Sequence, residues 1–97
     1  MNQKFLTLKN FFGAYLNQDF DLEFGAADDA INAFIHQADE NERLLAASEI
    51  EQLIATTLDE EQLRTFIFNE LGCCYFYPSE WDGGIAWLKH IRSLLLK

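Results

Sequence analysis

At 97 residues, 49% of them apolar, the chain is long enough to bury one modest core and too short for separate binding and catalytic domains. Sixteen carboxylates against seven lysines and arginines give a formal charge of -9, which opposes an electrostatic grip on phosphate backbones or anionic lipid. The sequence is read as a single domain over residues 1–97 with neither nucleic acid nor membrane as its ligand.

The opening segment from Met1 to Leu8 is not followed by the long apolar stretch and small-residue cleavage site of a secretory signal. No apolar run approaches the roughly 20 residues of a membrane span, so a cytoplasmic location is expected. Leu8, Phe11, Phe12, Tyr15 and Leu16 recur at offsets of three and four, which predicts a first helix from about Thr7 to Asn17. The next stretch, Phe20-Asp21-Leu22-Glu23-Phe24, alternates apolar and acidic residues and is expected to be short and extended, ending before Gly25. Helical spacing resumes from about Ala27 with Ala30, Ile31, Phe34, Ile35 and Ala38, and Asp28 and Asp29 stand near the start, where the helix field favours negative charge.

A third helix is predicted from about Asn41 to Thr57, rich in Ala, Leu and Glu and free of Gly and Pro. Asp59 stands three positions before Gln62, the spacing of a capping box, and opens a fourth helix whose buried face is Leu63, Phe66, Ile67 and Leu71. Gly72 is placed to stop it in a left-handed conformation. The run Cys73-Cys74-Tyr75-Phe76-Tyr77-Pro78 is read as an extended connector packed on the bundle. Asp82 then caps a final helix carrying Ile85, Leu88, Ile91, Leu94 and Leu95. The predicted fold is all-α, a compact bundle of about five helices with short loops and an extended aromatic connector before the last one.

Charge is unevenly placed. From Asn10 to Gln62 there are thirteen carboxylates and a single basic residue, Arg43. Such a field either keeps a small protein soluble or faces a basic partner, to which it contributes association rate and discrimination more than affinity.

Signals for catalysis are thin. His36 and His90 fall in separate helices, and a metal site needs three or four convergent ligands. Cys73 and Cys74 are adjacent, which suits neither spaced zinc ligands nor a relaxed disulfide; both are expected to be reduced and at least partly buried. Asp19, Asp21 and Glu23 imitate the opening of a calcium loop, yet Phe24 stands where the turn glycine belongs and Ala30 where the bidentate Glu belongs. Gly83-Gly84 lacks the lysine and longer glycine pattern of a phosphate loop. Neither catalytic residues nor a cofactor are assigned, and the residues alone describe a compact binding module.

Three blocks sharpen that reading: Phe12-Gly13-Ala14-Tyr15-Leu16-Asn17-Gln18-Asp19-Phe20, the run from Phe66 to Pro78 centred on Leu71-Gly72-Cys73 and Tyr75, and the terminal helix bearing Trp87-Leu88. In their order and spacing, and over nearly the whole chain, they resemble the small immunity proteins of bacterial contact-dependent growth inhibition systems. Phe20 stands where that family often carries Trp after the Asp, keeping an aromatic ring and dropping the indole donor. The resemblance implies a non-catalytic inhibitor that binds one-to-one to the C-terminal toxin domain of such a system, often a nuclease with a cationic groove. Phe12, Tyr15, Phe20, Leu71, Gly72, Tyr75 and Trp87 are read mainly as core or turn residues.

For contacts with the toxin, the expected residues are the acidic ledge of Asp19, Asp21, Glu23, Asp28 and Asp29, joined by Asp39, Glu40 and Glu42 at the next helix junction. Junction residues point outward without disturbing a core, whereas Glu49 and Glu51 in mid-helix are expected to solvate an exposed face. Tyr77 and Trp81 flank Pro78 and either anchor the contact or pack their loop on the bundle. An acidic adaptor or antirepressor that binds a regulator, a small enzyme, and a self-associating structural subunit remain the alternatives to an inhibitor.

Overall fold

The computed structural model describes residues 5–56 and 58–97. Among them run six α-helices: α1 (Leu6–Tyr15), α2 (Phe20–Glu23), α3 (Ala27–Gln37), α4 (Glu40–Ile54), α5 (Glu60–Thr65) and α6 (Gly84–Leu95). A π turn over Phe66–Glu70 continues α5, and a 3-10 turn at Tyr77–Ser79 interrupts the connector to α6. The helices pack as an all-α bundle, with α4 lying most extensively against α6 and α1 crossing both α3 and α4.

The core follows from the spacing of the apolar residues. Leu8, Phe11 and Phe12 of α1 meet Ala30, Ile31 and Phe34 of α3, Ile50 and Leu53 of α4, and Trp87, Leu88, Ile91 and Leu95 of α6 in one buried cluster. The Phe11 and Phe34 rings stack at 4.0 Å between centroids. Trp87, fully buried, contacts three rings: Phe12 at 5.6 Å, Tyr75 at 5.3 Å and Tyr77 at 5.3 Å. Aromatic pairs of this kind add about 0.5–1.5 kcal/mol each beyond area burial.

The segment predicted as extended is helical. Phe24 N–H donates to the Phe20 carbonyl at 2.8 Å and Gly25 N–H to that of Asp21 at 3.1 Å. The reason is tertiary: Phe20 and Phe24, four apart and hence on one face of a helical turn, lie edge-on to Tyr75 and stacked on Tyr15. Leu22, whose alternation suggested a strand, points out and is 84% exposed. Gly25, at φ +97, ends the turn.

The capping box of α5 is present, with Asp59 accepting from Gln62 N–H at 2.8 Å and Gln62 accepting from Asp59 N–H at 3.2 Å. The predicted helix end at Thr57 lies outside the described residues; the helix itself stops at Ile54. Asp82 does not cap α6. Gly83 holds the N-cap position, and the Gly84 N–H is taken instead by Glu60 Oε1 from α5 at 2.8 Å. This helix start sits so close to α5 that a Cβ on Gly84 would lie 2.7 Å from Leu63 Cδ2.

Glu49 also departs from expectation. Its carboxylate is buried and turned inward from the middle of α4, accepting the free N–H of Leu8 at 2.9 Å and that of Thr7 at 3.4 Å. Orphan amides at a helix start need such acceptors when buried. A carboxylate from a different helix therefore closes α1, while Glu51, two residues on, pairs with Arg92 of α6 at 3.3 Å and remains at the surface. Glu49→Ala is expected to cost about 1–2 kcal/mol in urea unfolding, against less than about 1 kcal/mol for Glu51→Ala. Equal losses would contradict the inward cap.

Gly72 has φ +70, and the Cys73 N–H reaches back over it to the Ile67 carbonyl at 3.2 Å. A Cβ added at Gly72 would meet nothing within 4 Å, so the cost of a substitution is set by the backbone alone. Gly72→Ala should lose about 1–2 kcal/mol, seen as a fall in Tm of several degrees, with Gly72→Asn milder. An unchanged melting curve for Gly72→Ala would rule out the left-handed cap.

Candidate binding surface

The eight predicted acidic contacts are all exposed, and α3 divides them into two groups. Asp19, Asp21, Glu23, Asp28 and Asp29 lie at its start; Asp39, Glu40 and Glu42 lie past its end. Eleven residues of helix at 1.5 Å each separate the groups by about 16 Å. They form two patches, the ledge of five and the junction group of three.

The first patch is built around α2. Because Phe20 and Phe24 face inward, Asp21, Leu22 and Glu23 are presented together to solvent, an exposed leucine between two carboxylates. Asn17 fixes the approach to this turn by accepting the Asp19 N–H at 3.0 Å. Asp29 turns back and accepts the Ala26 N–H at 3.2 Å, so it caps α3 as well as contributing charge. Asp28 faces α6, and its two oxygens stand 2.9 and 3.1 Å from His90 Nε2.

His90 joins this patch to the connector. The Trp81 ring lies against the imidazole with centroids 4.7 Å apart. Before it, Glu80 accepts the hydroxyl proton of Tyr75, whose phenol is raised above its ordinary range first by burial and then by that carboxylate. Asp28, Tyr75, Glu80 and Trp81, with Ala26 and Ala27, line a depression of about 270 Å³. Sequence reading selected Asp28 and Trp81 separately. It passed over Glu80 and considered His90 only as a metal ligand, and no local pattern marks a contact between residues 62 apart.

The second patch is more local. Asp39 is the N-cap of α4 and accepts the Glu42 N–H at 2.8 Å, while Glu40 is free on the first turn. Glu42 stands at the rim of a groove between α1 and α3 that also includes Leu6, Asn10, Tyr15 and Gln37.

Tyr77 is corrected. It is fully buried, stacked nearly parallel on Trp87, and its hydroxyl donates to Glu60 Oε2 at 2.9 Å, so it holds the connector to α5 and α6 and presents nothing at the surface. Burial, followed by that carboxylate, pushes its phenol up to about 12. The cysteines are divided: Cys73 is buried, its thiol pushed up to about 12 chiefly by that burial, whereas Cys74 is exposed, contrary to the expectation of shared burial. Among the described residues no group of three or more His, Cys, Asp or Glu side chains is placed to hold a metal ion.

Residues 4–95 match the family described as CdiI immunity protein. The chain belongs to that family. It is also similar to a chain in the crystal structure of the CdiA-CT/CdiI complex from Y. kristensenii 33638, with 37% identity, a TM-score of 0.92, and coverage of 95% of this chain and 98% of that one. Among curated proteins no significant match is found. The resemblance drawn from the three sequence blocks is thereby established, and so is the reading as a binding protein and not an enzyme.

In this immunity protein the two thiols should react very differently. Under native conditions at pH 8 a thiol reagent is expected to label one equivalent rapidly at Cys74, and Cys73 only at the rate of unfolding. Fast labelling of two equivalents would contradict the burial of Cys73.

Proposed function

We propose that this chain binds the CdiA-CT toxin domain cognate to it, one-to-one and in the cytoplasm, and neutralises it by non-catalytic occlusion. The observation that carries this reading is the near full-length likeness to a chain of a CdiA-CT/CdiI complex. That no helix among the described residues is long and apolar enough to cross a membrane is consistent with action in a soluble compartment.

The toxin domain is read as a basic nuclease. A formal charge of -9, with thirteen of the carboxylates between Asn10 and Gln62, suits a surface built to hold phosphates. Asp19, Asp21 and Glu23 steer the approach, and Leu22, exposed between the last two, supplies apolar contact once water is expelled. Asp28 and Trp81 extend the same face; Asp39, Glu40 and Glu42 form a further contact reached along α3. The likeness to a chain of a CdiA-CT/CdiI complex favours a toxin inhibitor over an acidic adaptor.

The test is capture of the cognate CdiA-CT domain by the tagged protein, followed by assay of the toxin's activity on transfer RNA and DNA with increasing inhibitor. Loss of activity at one equivalent is the expected result; binding without inhibition would move the protein to the adaptor class. Converting Asp19, Asp21 and Glu23 together to their amides should slow association severalfold and flatten its dependence on salt, with little effect on dissociation. Salt-dependent association unchanged in a folded triple variant would remove α2 from the steering surface.

A further inference from the structure

The depression between α3 and the connector has the chemistry of a receptor for one cationic side chain. It is lined by two aromatic residues, Tyr75 and Trp81, and two acidic ones, Asp28 and Glu80, together with Ala26 and Ala27. At about 270 Å³ it falls below the roughly 300–1,000 Å³ of small-molecule sites and suits a single long side chain. We propose that it receives an arginine side chain of the bound toxin domain, an assignment that rests on the immunity function above and locates its central contact.

Both carboxylates are already oriented. The Tyr75 hydroxyl donates to Glu80, and His90 Nε2 stands against the two oxygens of Asp28, leaving outward lone pairs on each. No lysine or arginine among the described residues forms an ion pair with either one. The remaining local charge is the start of α3, equivalent to about half a positive charge, which the full charges of Asp28 and Asp29 outweigh. His90 is the one imidazole facing this site.

The aromatic walls decide for arginine over lysine. A guanidinium is planar, weakly hydrated and able to lie on an aromatic face while its edge donates to carboxylates. Trp81 is braced for that contact by His90, on which it packs, and Tyr75 by Trp87 and Phe20. A protein side chain is favoured over a free cation because α2, with Asp21, Leu22 and Glu23 exposed, continues the acidic surface beside the depression and extends the contact well beyond it.

The experiment measures binding of the cognate CdiA-CT domain to the full-length protein bearing Glu80→Gln or Trp81→Leu, with Glu61→Gln, an exposed carboxylate of α5 outside both acidic patches, as the control. Glu80→Gln keeps an acceptor for Tyr75, and Trp81→Leu keeps apolar volume without the π face, so both should fold, as circular dichroism will verify. Each is expected to speed dissociation on the order of tenfold, with Glu61→Gln within about twofold of wild type. In a scan of toxin arginines to alanine, one position should lose its own effect when combined with Trp81→Leu. Wild-type dissociation from both folded variants, or no arginine coupled to Trp81, overturns the site while the immunity function stands; failure of the unaltered protein to bind the toxin overturns both.

Discussion

The burial of Trp87 against Phe12, Tyr75 and Tyr77 is the contact on which the other elements depend. One indole gathers α1, the connector and its 3-10 turn onto α6, elements separated by as much as most of the chain. Tyr77 stacks there with its hydroxyl satisfied by Glu60, and the same carboxylate takes the Gly84 amide that begins α6. The ring contact and the helix start are thus set by one side chain of α5.

A chain so rich in carboxylates uses several of them inside its own framework. Glu49 closes α1, Glu60 closes α6, and Asp29, Asp39 and Asp59 close the helices that they precede or begin. Each places negative charge at a helix start, where free amides and the helix field both favour it. The acidic composition therefore has two roles that one net charge does not separate. Residues such as Asp21 and Glu23 carry no such duty and are left to the surface.

Helices α1 and α3 to α6 were legible because offsets of three and four survive in the sequence, as were the Asp59 cap and the Gly72 stop, which depend on neighbours. What escaped was decided between distant residues. Rings at positions 15 and 75 make α2 a helix; Glu60 displaces Asp82 as the cap of α6; and Glu49 and Tyr77 are drawn inward by partners on other elements. At the candidate surface, the exposure of the acidic residues could be anticipated from their places at helix junctions. Their grouping could not, because the approach of Asp28 to His90 and of His90 to Trp81 exists only once α3, α6 and the connector have packed.

Arg43, the single basic residue between Asn10 and Gln62, is turned to the end of α6, where its Nη1 donates to the carbonyls of Leu95 and Lys97 at 2.9 and 3.3 Å. The one cation of the acidic stretch thus serves the bundle, and the outer face of α2 to α4 is left with charge of a single sign. Two copies of the chain meeting through that face repel each other. Self-association through that face is thereby disfavoured, and the face is left open to a different protein.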